Sequence, residues 1–376
     1  MGDLIMTSPA IRAVKEALDC RITVLTSQMA SEVCPLIPEI DEVIIATLPW
    51  IKAGTTIKSP EFNSLTQQLN QKNFDAAIIF TVYSQSALPS AMMAWIAGIP
   101  NRIAYSRENP YDLLTFWVPD NEPFETIYHQ VERDLRLIES VGIPTTESSI
   151  KLSIPDVAFK SMEVKLLNLF DNHFSASEIK FRLKNHYDLS IKNSHQSIAS
   201  GIEELILIHV GVSELKRAYP TERWIDIAKG VIERFDSKVI FTGSLNEREL
   251  TDHLQAKTGN KSISAAGIFT VEEFAALINR SRLLISVNTA PVHMAAGLQK
   301  PVIVLYAQTN PQHKPWKTQN RVFEFPVPES LQSKNGVIRF VNRKFYNSPV
   351  DYPEPSEVID AVHSLLDQTV DNSASQ

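Results

Sequence analysis

Residues Leu205–Pro220 read LILIHVGVSELKRAYP, and this stretch indicates the fold of the chain. It begins with an apolar run, continues with a loop that contains a Lys-Arg pair, and ends at a predicted helix start. A short, continuous apolar run is typical of a strand buried on both faces of a parallel sheet. The alternation continues downstream, where we predict strands at Lys238–Thr242, Leu283–Val287 and Pro301–Tyr306 and helices at about Thr221–Phe235, Asn246–Lys257 and Thr270–Arg280.

The first half of the chain repeats the pattern, with strands predicted at Arg21–Ser27, Glu42–Ala46, Asp75–Val82 and Arg102–Ser106. Two successive series of strands and helices predict an α/β fold with two Rossmann-like, doubly wound domains. We predict an N-terminal domain over residues 1–175, an irregular linker over 176–202 and a C-terminal domain over 203–350. Residues 351–376 are expected to form a last helix that packs across the first domain, followed by a disordered tail from Thr369.

The start of the chain does not fit this pattern, because Met1-Gly2-Asp3 leads directly into a predicted helix. A doubly wound domain normally begins with a strand. We therefore expect that the first strand of the N-terminal domain is missing from this sequence and that the natural start lies upstream of Met1.

The composition narrows the possible functions. The chain has 376 residues, a formal net charge of −7 and two cysteines. The negative charge argues against a protein that binds nucleic acid through bulk electrostatics. Two thiols provide neither a disulfide framework nor a zinc site. Because we find no membrane-spanning apolar run and no signal peptide, we expect a cytoplasmic protein.

Candidate binding residues lie in loops after the predicted strands, because ligands of doubly wound sheets bind beyond the carboxyl ends of the strands. The loop after Leu205–His209 contains Ser213 and Lys216 just before a helix, which is a favourable place for a pyrophosphate. It also has the composition of an ordinary solvated basic loop. The loop over Asn288–Met294 opens a helix that offers a second phosphate site, and His293 in its first turn is either structural or catalytic.

Two carboxylates have both a structural and a functional interpretation. Glu247 can accept hydrogen bonds from a ribose, or it can form a capping box with Ser244. Asp3 lies where a first strand would end, and it can act as a general base or stabilise the start of its helix. The sequence contains no GxGxxG, GxxxxGK[ST], GxSxG or HExxH motif, which argues against several common enzyme classes.

Taken together, these segments resemble the bacterial heptosyltransferases, which form glycosyltransferase family 9. Gly2–Leu18 (GDLIMTSPAIRAVKEAL) resembles the family's Gly-Asp-x-x-x-x-x-Pro-Ala opening, and Pro38–Val43 (PEIDEV) resembles a turn that follows it. His129–Ile143 (HQVERDLRLIESVGI) resembles a recurring helix. In the second half, one segment resembles the family's loop with a Lys-Arg pair and reads HVGVSELKRAYPTERW. Another resembles its Asp-Thr-Gly-x-x-His-x-Ala-Ala segment and reads ISVNTAPVHMAAGLQKPVIVLYAQTNPQHKPW.

The resemblance implies a GT-B architecture with the nucleotide-sugar donor on the C-terminal domain and the acceptor on the N-terminal domain. It also implies an inverting transfer that needs no metal or other cofactor. By matching position, it implies that Asp3 is the catalytic base and that donor contacts come from Ser213, Lys216, Glu247, Thr289 and His293. Asn288 stands where the family has an aspartate and Ala290 where it has a glycine, which predicts altered donor contacts.

We therefore expect an enzyme that transfers a sugar, with ADP-heptose as the first candidate donor, to a lipopolysaccharide core or related lipid-linked glycan. The expected partners are this donor and this acceptor, together with a transient contact with the inner face of the cytoplasmic membrane. We expect no binding to nucleic acid. A non-catalytic nucleotide-sugar-binding paralogue is an alternative that the Asn288 departure favours. A sugar-nucleotide epimerase on the same architecture is a second alternative, which the family pattern disfavours.

Overall fold

The computed structural model describes residues 1–51, 58–171 and 205–373, and every strand pair within these ranges is parallel. The strands of the first half are β1 (Thr23–Thr26), β2 (Glu42–Ile45), β3 (Ala76–Ile79), β4 (Asn101–Ser106) and β5 (Phe116–Pro119). Those of the second half are β6 (Leu205–His209), β7 (Lys238–Thr242), β8 (Ser262–Ser264), β9 (Leu283–Val287), β10 (Val302–Ala307) and β11 (Asn320–Phe325). The predicted linker over residues 176–202 lies outside the described residues.

Helices alternate with the strands along the chain. In the first half they are α1 (Gly2–Leu18), α2 (Gln28–Ser31), α3 (Ser59–Gln71), α4 (Leu88–Ile96), α5 (Gln130–Glu139) and α6 (Asp156–Asp171). In the second half they are α7 (Thr221–Phe235), α8 (Arg248–Thr258), α9 (Val271–Arg280), α10 (Ala290–Gly297), α11 (Gly336–Phe345) and α12 (Pro355–Ser373). Short 3-10 helices cover Cys34–Leu36, Tyr111–Leu113, Leu215–Arg217, Leu245–Glu247, Pro311–His313 and Glu329–Leu331.

The second half contains one six-stranded sheet with the order β11-β10-β9-β6-β7-β8. All residues of β9 and β10 are buried, which explains why these strands are continuous apolar runs instead of alternating patterns. The strand order reverses between β6 and β9, and doubly wound sheets bind ligands in the crevice at such a reversal. The two predicted phosphate sites follow β6 and β9, so the fold brings them to the same crevice.

The strands of the first half form two separate sheets, with the orders β1-β2 and β3-β4-β5. Helix α1 packs on α5 and on α10. Its residues Ile5 and Met6 belong to a hydrophobic core that also contains Leu284 of β9 and Val292 of α10. One continuous core therefore joins the two halves and holds α1 against the second half. The expected strand upstream of Gly2 stays a prediction.

The last helix packs on its own half, and the prediction that it crosses the first domain is wrong. Helix α12 lies on α7 and on strands β10 and β11. Gly230 in α7 permits this close packing, because a Cβ at that position would collide with Ile359. The helical pattern of α12 revealed an apolar face but not which surface it covers. The helix also extends to Ser373, beyond Thr369, where the predicted tail begins.

Helix α6 lies within the predicted N-terminal domain but packs on α9 of the second half. The carboxylate of Glu273 accepts hydrogen bonds from Lys165 Nζ at 2.7 Å and from Ser161 Oγ at 2.6 Å. Helix α6 therefore forms a second connection between the two halves, in addition to their shared hydrophobic core. The predicted boundary near residue 175 stays a prediction.

Candidate active site

The first turn of α1 lies against the first turn of α10. A Cβ atom at Gly2 would lie 3.0 Å from Cδ2 of His293 and 3.7 Å from Cα of Ala290, so there is little room for a side chain at Gly2. His293 is buried, and its Nδ1 has no hydrogen-bond partner among the described residues. This close approach brings Asp3 next to the phosphate site predicted at Thr289 and Ala290.

The carboxylate of Asp3 projects from α1 towards solvent. Its side chain is 72% exposed, and Oδ1 lies 3.6 Å from Nε2 of His313. The same nitrogen of His313 lies 3.2 Å from Nδ2 of Asn310. An exposed carboxylate can reach and deprotonate a bound hydroxyl, which is the chemistry of a general base. Its place in the first turn of α1 also fits the structural interpretation, and one residue can serve both.

Three neighbouring histidines of the site are held neutral. Burial lowers the pKa of His129 to about 4 and lowers the pKa of His293 well below its ordinary value. Burial also lowers the pKa of His313, although the carboxylate of Asp3 opposes that effect. The rings of His293 and His313 lie edge to face with their centroids 6.2 Å apart. Positive charge at the site therefore comes from lysine and arginine side chains and not from imidazolium.

The loop after β6 carries two cations at the crevice. Lys216 Nζ lies 3.1 Å from Oε2 of Glu214, and the guanidinium of Arg217 lies 3.7 Å from the same oxygen. Arg217 Nη1 also donates to the backbone oxygen of Asn288 at 3.1 Å, which connects the loops after β6 and β9. Ser213 is exposed at the start of this loop. Arginine and lysine in such a loop are suited to hold a diphosphate.

The side chain of Asn288 holds two strand ends together. Its Nδ2 donates to the backbone oxygen of Ala307 at 3.3 Å and to Oγ1 of Thr309 at 3.0 Å. Its Oδ1 accepts from the backbone nitrogen of Ala307 at 3.1 Å. A carboxylate at this position has no hydrogen to donate to the carbonyl of Ala307. The structure therefore gives the amide of Asn288 a structural role between β9 and β10.

The start of α10 is accessible at the carboxyl end of β9. Thr289 is the N-cap residue, and its side chain makes no capping hydrogen bond; Oγ1 instead lies 3.4 Å from the backbone oxygen of Val287. Thr289 and Ala290 are only partly buried. The N–H groups of Thr289 and Val292 donate to backbone oxygens and Pro291 has no N–H, so the N–H of Ala290 is the one at this helix start that can attract an anion. This helix start can therefore bind a phosphate.

Glu247 forms the capping box that its sequence pattern allows. Its Oε2 accepts from the backbone nitrogen of Ser244 at 2.7 Å and from Ser244 Oγ at 2.5 Å. A Cβ at Gly243 would lie 2.9 Å from Cβ of Glu247, so the turn is closely packed. The loop follows β7, one strand away from the crevice. Contact of Glu247 with a ribose stays a prediction.

The segment after β10 connects the second half to the first half beside Asp3. Gln312 is fully buried, and its Nε2 donates to the backbone oxygen of Tyr128 at 3.1 Å and to Oε1 of Glu122 at 3.4 Å. Its Oε1 accepts from the backbone nitrogen of Tyr83 at 3.4 Å. The adjacent His313 is thereby held next to Asp3.

A second contact of this segment lies close to the first. His129 Nε2 lies 2.7 Å from the backbone oxygen of Lys314, and its ring stacks on Trp316 with centroids 4.4 Å apart. Trp316 Nε1 donates to the backbone oxygen of Ser148 at 2.7 Å. The segment over residues 311–316 therefore fixes how the two halves meet at the cleft.

The structure brings most of the predicted residues to one region. Asp3, His293, Thr289 and Ala290 meet where α1 contacts α10, while Ser213, Lys216 and Asn288 lie at the crevice between β6 and β9. Four further residues lie at the site and were not predicted to do so: Arg217, His129, Gln312 and His313. The available signals were the Lys-Arg pair and the polar run NPQHK directly after an apolar strand.

No helix within residues 1–51, 58–171 and 205–373 combines the length and the hydropathy needed to traverse a bilayer. No three His, Cys, Asp or Glu side chains in these ranges are grouped so that they could hold a metal ion.

Comparison with known proteins identifies the family. The family model described as glycosyltransferase family 9 (heptosyltransferase) matches residues 62–336. Lipopolysaccharide heptosyltransferase 3 of Escherichia coli K12 is 24% identical over 322 residues, which cover 84% of this chain and 82% of that protein. Lipopolysaccharide heptosyltransferase 2 of the same strain is 22% identical over 321 residues, with coverages of 84% and 82%.

Solved structures show the same fold. The glycosyltransferase family 9 protein from Veillonella parvula superposes with a TM-score of 0.73 at 19% identity, covering 98% of this chain and 94% of that one. E. coli ADP-heptose lipopolysaccharide heptosyltransferase II superposes with a TM-score of 0.65 at 18% identity, covering 98% and 96%. The predicted α/β fold of GT-B type is confirmed. Because the family model matches well over half of the 376 residues, the chain is an enzyme that belongs to glycosyltransferase family 9, the heptosyltransferase family.

Proposed function

We propose that this glycosyltransferase moves heptose, with inversion at the anomeric carbon, from ADP-heptose to a lipopolysaccharide core or related lipid-linked glycan. The observation that carries the proposal is the contact between the first turns of α1 and α10. It sets the exposed carboxylate of Asp3 beside a helix start that can hold a diphosphate. The relatives named as lipopolysaccharide heptosyltransferases, and the solved E. coli heptosyltransferase WaaC with ADP-2-deoxy-2-fluoro heptose, support this choice of donor and acceptor.

In this proposal, Asp3 takes the proton of an acceptor hydroxyl as its oxygen attacks the anomeric carbon of the heptose. The bond between that carbon and the diphosphate breaks in the same step, and ADP leaves with the bonding electrons. Attack from the face opposite the leaving group inverts the configuration. Lys216, Arg217 and the backbone N–H of Ala290 at the start of α10 stabilise the charge that develops on the diphosphate.

The proposal needs no metal ion or other cofactor, because these protein groups supply the positive charge that the leaving diphosphate requires. Transfer that is equally fast with and without a chelator is the expected result. A rate that falls with the chelator and returns with added divalent cation would contradict this part of the proposal.

We place the reaction in the cytoplasm at the inner face of the cytoplasmic membrane, because a lipid-linked acceptor is held at a membrane surface. Fractionation of cells that express the chain tests this placement. Recovery of the chain in the cytosol and on inner membranes is expected, and recovery outside the cytoplasm would contradict it.

The donor is tested by thermal unfolding of the purified chain with ADP, UDP or GDP. A ligand that binds only the native state raises the apparent stability by mass action. Selective stabilisation by ADP is the expected result. Stabilisation by UDP or GDP would retain the transfer reaction but replace the donor, and stabilisation by none of the three would contradict the proposed donor site.

A further inference from the structure

Helix α11 and the residues before it form a strongly basic segment on an acidic protein. No aspartate or glutamate occurs from Gln332 to Val350, whereas the whole chain has a net charge of −7. Within the described ranges, none of the four cations of this segment pairs with a carboxylate, and all four are exposed: Lys334, Arg339, Arg343 and Lys344. The segment therefore presents four unneutralised positive charges to solvent.

Exposed apolar side chains lie among these charges. Phe345 at the end of α11 is 43% exposed, Leu331 before it is 39% exposed, and Phe124 of the first half is 52% exposed. The ring of Phe124 lies 5.2 Å from that of Phe340 of α11, measured between centroids. We call the four cations together with Leu331, Phe345 and Phe124 the α11 patch.

The α11 patch borders the cleft side of both halves. Helix α11 follows β11, and Phe124 follows β5, so both lie beyond the carboxyl ends of parallel strands. Lys344 Nζ donates to the backbone oxygen of Phe124 at 3.5 Å, which connects α11 to the first half. The buried Val341 fixes α11 to the protein, and Arg339 and Arg343, two residues before and after it, lie on nearly the opposite face of the helix. These cations therefore point towards solvent.

We propose that the α11 patch is the surface by which this enzyme binds an anionic lipid bilayer. Charge complementarity carries the choice of partner, because basic side chains mixed with aromatic residues bind the anionic headgroup region while the rings enter the interface. The proposal rests on the proposed function in one respect, since a lipid-linked acceptor gives the enzyme a reason to sit on a membrane. Each cation near an anionic surface strengthens binding roughly fivefold, so removal of three weakens it about 100-fold.

The test is sedimentation of the full chain with vesicles of phosphatidylcholine, with or without phosphatidylglycerol, at low and high salt. No donor or acceptor is present, so failure of the proposed transfer reaction does not affect the result. The test variant combines Arg339→Ser, Arg343→Ser and Lys344→Ser, and a separate Phe345→Ser variant tests the apolar part. We expect the chain to bind only vesicles that contain phosphatidylglycerol, with salt weakening the binding.

The matched control removes three exposed lysines from other helices, through Lys160→Ser, Lys229→Ser and Lys257→Ser. It carries the same change in net charge as the test variant. We expect the control to bind like the unmodified chain and the α11 variant to bind about 100-fold more weakly. Equal binding by both variants, or no dependence of the unmodified chain on phosphatidylglycerol, would overturn the proposal.

A delipidated, phosphorylated glycan acceptor shows whether the α11 patch binds the bilayer or the charged groups of the acceptor. If the α11 variant retains its vesicle binding but loses turnover of this soluble acceptor, the patch binds the glycan and the bilayer proposal is wrong. Unchanged turnover of the soluble acceptor together with lost vesicle binding is the expected result.

Discussion

Asp134 is a buried carboxyl group that holds the first turn of α1, and its protonation gives a specific prediction. Thr7 Oγ1 lies 2.7 Å from Asp134 Oδ2 and 2.9 Å from the backbone oxygen of Asp3. One hydroxyl hydrogen cannot serve both oxygens, but a protonated Asp134 can donate to Thr7 while Thr7 donates to Asp3. Gln130 Nε2 donates to the other carboxyl oxygen at 2.8 Å. Burial raises the pKa of Asp134 to about 7, in agreement with a neutral group.

The change to test is Asp134→Asn, because the amide keeps a donor for Thr7 and an acceptor for Gln130 and has no charge at any pH. In the unmodified chain, the native state holds the proton of Asp134 up to a pKa of about 7, whereas an unfolded aspartate releases it at about 3.9. The native state therefore binds more protons between these values, so its free energy of unfolding falls as the pH rises from about 4 to 7. At about 1.4 kcal/mol for each pH unit, the loss is on the order of 4 kcal/mol.

Urea unfolding followed by tryptophan fluorescence at several pH values measures this effect. As the pH rises from about 4 to 7, the unmodified chain should lose stability that Asp134→Asn retains. The difference between their free energies of unfolding should therefore shift in favour of Asp134→Asn by up to roughly 4 kcal/mol. Asp226→Asn, which removes an exposed aspartate of α7, is the control and should run parallel to the unmodified chain. A difference between Asp134→Asn and the unmodified chain that stays constant with pH would show that Asp134 is ionised in the native state.

Three further changes test individual side chains of the site. Lys216→Ala should weaken ADP binding by roughly 10- to 150-fold in a calorimetric titration, because a charge-assisted hydrogen bond contributes about 1.5–3 kcal/mol. Unchanged affinity would remove Lys216 from the diphosphate site. Glu247→Ala should lower the free energy of unfolding by about 1 kcal/mol through loss of the capping box. A large loss of ADP affinity in that variant would instead support contact with the ribose. Gln312→Ala should lower the free energy of unfolding by about 1–3 kcal/mol and increase the radius of gyration in small-angle scattering, because its hydrogen bonds join the two halves. An unchanged radius of gyration would mean that other contacts hold the halves together.

The sequence predicts the central strands of the second half well. The predicted strands Leu205–His209, Lys238–Thr242 and Leu283–Val287 have the same bounds in the structure. These strands lie inside the sheet with neighbours on both sides, so burial on both faces produces the continuous apolar runs that the prediction uses. The strand predicted at Pro301–Tyr306 is observed one residue later, at Val302–Ala307.

The sequence predicts the edge strands β1, β2 and β3 but not three others. The strands β5, β8 and β11 each lie at the edge of a sheet and have a neighbour on one side only. Their residues are less uniformly apolar, as in Ser262–Ser264 (SIS) and Asn320–Phe325 (NRVFEF). In β8 and β11, polar residues interrupt the apolar run on which the strand predictions depend, so the sequence signal is weak there.

In the candidate site, features that depend on neighbouring residues were predictable, and contacts between residues far apart in the chain were not. The loops after β6 and β9 were predicted because a strand followed by a helix start is a local pattern. The contacts of Gln312 were not predictable, since its partners Tyr128, Glu122 and Tyr83 are separated from it by 184 to 229 residues along the chain. For Asn288, the resemblance identified an unusual residue, but only the structure shows that its amide bonds to Ala307.

The proposed transfer of heptose can be measured directly on the acceptor. The chain is incubated with ADP-heptose and a deacylated lipopolysaccharide core, and the mass of the acceptor is measured. Asp3→Asn is compared with Asp19→Asn, a matched change at the exposed C-cap of the same helix. We predict that the unmodified chain and Asp19→Asn add one heptose to the acceptor, while Asp3→Asn is slower by roughly 100-fold or more and still binds ADP. A chain that binds ADP but leaves the acceptor unchanged would rule out the proposed transfer, and an Asp3→Asn variant with full activity would rule out Asp3 as its base.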